Sequence, residues 1–174
     1  MIVLMLVLIT AAIAAYTDVR TRRIPNVLPA ALLAAGITLS ALHGWESAAI
    51  SIGLFLGVFA FGTFLFSLGF IGGGDVKLIA AACAALGWPD TVAFLLFTMV
   101  AGGILGLSMS AARGRLQPML ANVKSIVFPM LSGVRPAPIS SSAVGTMPYG
   151  LAILAGAATV ALGNAFGLTL RIFA

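Results

Sequence analysis

The chain has 174 residues, of which 61% are hydrophobic and only 7% charged, with a net charge of +5 and a mean hydropathy of +1.19. A soluble domain carries about 25% charged residues, so there is too little polar surface here to cover a water-soluble globule, and the excess apolar surface must face lipid. The basic balance would suit nucleic-acid binding, but the bases are better explained as loop charges at one membrane face, and no nucleic-acid partner is expected.

Apolar stretches fall at about 2–16, 27–42, 48–70, 76–88, 91–111 and 148–170. Open strands cannot satisfy their backbone in lipid. The six stretches therefore predict an all-α, polytopic integral membrane protein of six transmembrane helices, folded as one domain over 1–174. The first stretch has the size of a signal-peptide core, but its arginines follow the apolar run instead of preceding it. It reads as a retained first helix whose following end is anchored in the cytoplasm. Turn signals agree with the divisions: Pro25-Asn26, then His43 to Glu46, then Trp88 to Asp90. Trp45 and Trp88 are placed as interface anchors. His43 and Cys83 stand apart from any convergent ligand group, and no Cys-x-x-Cys pair exists, so no metal or cofactor is expected.

The fourth stretch spans about 20 Å as a helix against a hydrocarbon core of about 30 Å. Either the membrane thins there or the helix starts below the interface, which would set Asp75 in a recess. Gly53 and Gly57, Gly102 and Gly106, and Gly163 and Gly167 recur four apart and predict close helix packing. The long connection 112–147 is the one polar-tending segment, and its part from Met119 to Leu131 is expected along the interface.

With the amino terminus outside, the cytoplasmic segments hold Arg20, Arg22, Arg23, Lys77, Arg113, Arg115, Lys124 and Arg135, eight of the nine Lys and Arg residues. The positive-inside rule selects that orientation and puts the carboxyl terminus outside as well. It also places Asp18 and Asp75 at the same, cytoplasmic face, and Glu46 and Asp90 in loops at the other.

Four acidic residues are present in all, and one at or near hydrocarbon depth is a functional candidate. Asp18 opens a segment running through Arg22, Arg23 and Ile24 to Pro25 and Asn26; Asp75 closes the run Gly72, Gly73, Gly74 and is followed by Lys77. Two close carboxylates cannot both ionise easily, so the pair offers an acid and a base together. That is the requirement for activating water against a peptide carbonyl. The glycines leave room for an extended peptide beside the backbone. The structural alternative is that Asp18 pairs with a neighbouring arginine and Asp75 caps a helix. Lys77 either lowers the Asp75 pKa or faces head groups. Asn26 is either a turn residue or a partner for a carboxylate. Tyr149 either belongs to a helix start at Thr146 to Tyr149 or lines a cytoplasmic cavity.

These segments resemble a known family. Asp18 to Asn26 resembles the first-aspartate motif of type IV prepilin peptidases, and Gly72 to Leu78 their GxGD-type second-aspartate motif. Pro148, Tyr149 and Gly150 are similar to the Pro-Tyr/Phe-Gly segment that opens the family's last helix. The resemblance implies a membrane aspartyl endopeptidase in the bacterial inner membrane, cleaving the leader from a prepilin or pseudopilin at the cytoplasmic face with Asp18 and Asp75. Gly72, Gly73, Gly74, Lys77, Pro25, Asn26, Pro148, Tyr149 and Gly150 would bind substrate or shape the site. Larger members carry a cytoplasmic insert after the first helix, often with paired Cys-x-x-Cys, tied to amino-terminal methylation. No insert follows Asp18 here, so the chain resembles the short, tight-adherence-pilus type, and methyltransferase activity is not expected. The competing readings are a small proton- or ion-coupled transporter using both aspartates as relays, and a non-enzymatic assembly subunit. A transporter should carry polar groups through the midplane, whereas both aspartates sit at one face. Membrane lipid is an implied partner; oligomeric state is not legible.

Overall fold

In a computed structural model, residues 1–114, 116, 117, 121, 124 and 148–167 are described; the expected interfacial segment Met119 to Leu131 lies largely outside them. The described residues form six helices and no strand: α1 Ile2–Thr21, α2 Val27–Leu42, α3 Trp45–Ser67, α4 Gly73–Leu86, α5 Asp90–Ala112 and α6 Gly150–Ala165. Three of them, α1, α3 and α5, are long and apolar enough to cross a membrane, at 20, 23 and 23 residues; α2 and α6 are shorter apolar helices.

Only α2 coincides with its apolar run, and two of the differing boundaries bear on the aspartates. The first run stops at Tyr16, but α1 continues through Asp18 to Thr21 and ends where Arg22 turns left-handed at φ 55. The Arg22 N–H bonds back to the Asp18 carbonyl at 2.9 Å, and Thr21 bonds the Thr17 carbonyl at 2.8 Å. Apolar composition marks the part of a helix that meets lipid, not its last hydrogen-bonded turn. Likewise α4 begins at Gly73, ahead of Asp75, and Gly87 at φ 72 ends it with an N–H bond to the Cys83 carbonyl.

The shortest helix is the central one. α4 packs against α3, α2, α5 and α1, while α6 joins α1 to α5 on the far side. Every α4 residue from Leu78 to Ala85 is buried. On α3, by contrast, Ser51 alone is buried. An alanine-rich α4 lets neighbouring backbones come close: an added Cβ on Gly36 of α2 would stand 2.8 Å from Ala85 Cα. The four-residue glycine spacing did not identify such contacts. Gly53 and Gly57 face open space, and Gly167 sits in a turn at φ 65, whereas Gly102 does receive a neighbour. Small residues permit close approach without requiring it.

At the end of the bundle away from Asp18, Ser40 bonds Ser51 at 2.8 Å and the Thr91 hydroxyl bonds the Cys83 carbonyl at 2.9 Å. Asp90 is not a free loop residue: it is the first residue of α5 and accepts a bond from the Asn164 amide of α6 at 3.1 Å.

Candidate active site

The other end gathers the chain's sequence motifs. The last turn of α1 carries Asp18, the first turn of α4 carries Asp75, and Tyr149 and Gly150 open α6. Asp18 is buried, with 7% of its surface exposed. Its Oδ2 accepts a hydrogen bond from the Gly150 N–H at 2.9 Å. As the first residue of α6, Gly150 has an N–H with no intrahelical acceptor, so the amide is free to hold a carboxylate. The approach is close on every side. An added Cβ on Gly150 would stand 2.9 Å from Ala15 Cα, 3.1 Å from Asp18 Cβ and 3.3 Å from the Ala14 carbonyl oxygen. Glycine is therefore what lets α6 reach Asp18.

The neighbouring arginine closest in sequence is engaged elsewhere, because the Arg20 guanidinium lies 5.1 Å from the centre of the Tyr16 ring. Asp75 is half-buried, and Gly74 beside it abuts Ile24 of the loop leaving α1, which brings the first turn of α4 to the end of α1 that carries Asp18. Asp75 occupies the third position of α4, not the cap. Its Oδ2 fills the space that a side chain on Gly72 would need, 2.7 Å from such a Cβ. Asp18 is thus held by an amide from a helix 132 residues away, while Asp75 lies against the glycine just ahead of its own helix.

Tyr149 stands over Gly102 of α5, where an added Cβ would meet its ring at 2.7 Å. It directly precedes α6, as the helix-start reading expects. Gly73 lies against the Phe66 ring, at 3.5 Å from an added Cβ, and Gly74 against Ile24 at 3.3 Å. Pro25 and Pro148 act through the backbone; their carbonyls accept the Leu28 and Leu151 N–H groups at 3.1 and 3.3 Å. Asn26 does not reach a carboxylate. Its Oδ1 accepts a hydrogen bond from Lys77 Nζ at 3.1 Å, and this also fixes the direction of Lys77. Sequence reasoning missed Ile24 and Gly102 as neighbours of the site. An apolar side chain and a lone glycine carry no chemical signature, and only the fold brings them here.

Among the described residues no group of three or more His, Cys, Asp or Glu side chains forms a metal-binding cluster. The arrangement brings to one end of the bundle two carboxylates, a backbone amide that holds one of them, and a phenol. Such a set can run acid–base chemistry on a carbonyl.

A family model described as the type IV leader peptidase family matches residues 3–107, a span that includes Asp18, Asn26, Gly72 to Lys77 and Gly102. Searches of curated proteins and of solved structures returned no match. With more than half of its length matched and its motif residues gathered at one end of a helical bundle, the chain belongs to the type IV leader peptidase family.

Proposed function

We infer that this protein is an aspartyl endopeptidase that removes the leader from a prepilin or pseudopilin, with Asp18 and Asp75 as its catalytic pair. One observation carries the reading. Three segments far apart in sequence meet at one end of the bundle, and two of them bring Asp18 and Asp75 there in the end turns of α1 and α4.

The pair shares one proton, because adjacent carboxylates resist double ionisation. The ionised member takes a proton from water as the water oxygen attacks the scissile carbonyl carbon. The protonated member gives its proton to the carbonyl oxygen. Collapse of the tetrahedral intermediate returns a proton to the amide nitrogen and breaks the C–N bond, releasing a carboxylic acid and an amine. The Gly150 amide keeps the Asp18 side chain oriented, which lowers the reorganisation needed at reaction.

The site faces the cytoplasm in this reading. Arg20, Arg22, Arg23 and Arg113 adjoin the ends of α1 and α5 on the Asp18 side, and Lys77 lies there too. Glu46 begins α3 at the opposite end. That asymmetry supports cytoplasmic placement of the pair in the bacterial inner membrane. The substrate's apolar helix then lies in lipid and its basic leader in water, with the junction at the aspartates. Residues 22–26 are the whole connection between α1 and α2. This supports the short, tight-adherence-pilus type without a methyltransferase insert.

The test is cleavage of a prepilin-like peptide, a basic leader followed by an apolar helix, by the purified protein in detergent. Wild type should release the leader, and Asp18→Asn or Asp75→Asn should not while remaining folded. Full processing by either variant overturns the assignment.

A further inference from the structure

We propose that Lys77 and Asn26 form a clamp that sets the separation of Asp18 and Asp75, acting as positioning residues for the reaction; this rests on the dyad reading above. Asn26 stands at the N-cap of α2, where an asparagine side chain ordinarily accepts a bond from its own helix. It makes no such bond here. Its Oδ1 is used instead by Lys77 Nζ, at 3.1 Å and across 51 positions of sequence.

The two ends of this bond are tied to the two aspartates. Asn26 closes the short connection that begins where α1 stops, four residues beyond Asp18. Lys77 lies two residues beyond Asp75 on α4. Successive helical residues differ by about 100°, so Lys77 and Asp75 project from nearly opposite faces of α4. Asp75 is half-buried, and Lys77 is exposed with its Nζ at the Asn26 side chain. A second contact lies beside the first: Gly74 abuts Ile24, 3.3 Å from an added Cβ. The loop leaving α1 is therefore held to the first turn of α4 at two adjacent points, residues 24 and 26 against residues 74 and 77. This holds the two carboxylate-bearing turns in register without either clamp residue touching the substrate.

The clamp predicts a loss in kcat, not in KM. Lys77→Met and Asn26→Ala should each lower kcat on the prepilin-like peptide by about ten-fold, since sub-ångström misplacement of reacting groups is costly. KM should stay within about two-fold, and the double variant should be no worse than either single. Lys77→Arg keeps a donor and should retain most activity. Exchanging the pair, Asn26→Lys with Lys77→Asn, should restore part of the loss. A rise in KM at unchanged kcat makes Lys77 a substrate-binding residue and overturns the clamp, as do additive losses or wild-type kcat in both singles. A second readout needs no catalysis. In a Cys83→Ala background, disulfide formation between Asp18→Cys and Asp75→Cys should slow about three-fold or more when Asn26→Ala is added, because capture depends on a narrow Cα separation. An unchanged rate overturns the proposal. A slowed rate in a chain whose wild type cleaves nothing sustains the clamp and removes the peptidase reading instead. If Lys77→Met does not fold, Asn26→Ala, at an exposed position, carries both measurements.

Discussion

Adding one methyl group at Gly150 perturbs the proposed site while leaving both carboxyl groups in place, although the new Cβ also presses on Asp18 Cβ at 3.1 Å. The new Cβ would stand 2.9 Å from Ala15 Cα and 3.3 Å from the Ala14 carbonyl oxygen, both backbone atoms of a buried helix turn that cannot rotate away. Carbon–carbon contacts are comfortable at about 3.5–4.0 Å, so the start of α6 must retreat from α1 by roughly 0.6–1 Å. The Gly150 N–H···Oδ2 bond begins at 2.9 Å. The same retreat stretches it to about 3.5 Å or more, where it ceases to be a hydrogen bond. A bond to a charged acceptor is worth about 1.5–3 kcal/mol. Losing about 2 kcal/mol of it in the transition state lowers the rate about 30-fold. Gly150→Ala should therefore show a kcat about 30-fold below wild type on the prepilin-like peptide in detergent. Gly103→Ala serves as the matched control, since nothing lies within 4 Å of its added Cβ. It should leave kcat unchanged. Wild-type kcat in Gly150→Ala, with thermal unfolding also unchanged, refutes the claim that this amide orients Asp18.

Three further outcomes are expected. The double variant Asp18→Asn with Asp75→Asn should be no less active than either single, because the two groups act as one unit; a clear further drop in the double, measured by single-turnover cleavage, separates their roles. Gly74→Val should impair cleavage more than membrane insertion, because its branched side chain meets Ile24 at 3.3 Å beside the site; equal loss of both, by cleavage and by carbonate extraction, places Gly74 in folding alone. In a Cys83→Ala background, an impermeant thiol reagent added to intact cells should label Glu46→Cys and spare Arg113→Cys. The reverse pattern turns the molecule over and moves the aspartates outside.

Much of the fold was legible because lipid imposes a simple rule: a run of apolar side chains long enough to matter becomes a helix. The six runs correspond to the six described helices. The boundaries at Asp18 and Asp75 were less legible, because polar residues continue a helix as readily as apolar ones end it. Asp18 thus lies inside α1 and Asp75 inside α4, both in end turns where side chains reach past the helix. The two aspartates announced themselves by scarcity in an apolar chain. What holds them did not. Gly150, Lys77 and Asn26 were each named through the family resemblance, but neither the Gly150–Asp18 bond nor the Lys77–Asn26 bond can be read from residue type or spacing. The Asp90–Asn164 bond shows the same limit at the opposite end, where an acid read as solvated ties two helices together.

The burial of α4 has a consequence for biogenesis. Its 14 residues run from Gly73 to Leu86 and are rich in alanine, with Val76, Leu78, Ile79 and Leu86 as the large aliphatic side chains. Alanine contributes little to partitioning out of the translocon, which favours segments rich in Leu, Ile, Phe and Val. On leaving the ribosome, α4 has neither the length nor the side chains to stay in the bilayer alone. α3, which precedes it, is long, rich in phenylalanine and largely outward-facing. Membrane integration of α4 is thus a cooperative event, in which α3 enters first and retains its successor as a helical hairpin. Asp75 on α4 takes its final depth only when that hairpin has closed against α2, and the Gly150 amide reaches Asp18 only after α5 and α6 have followed.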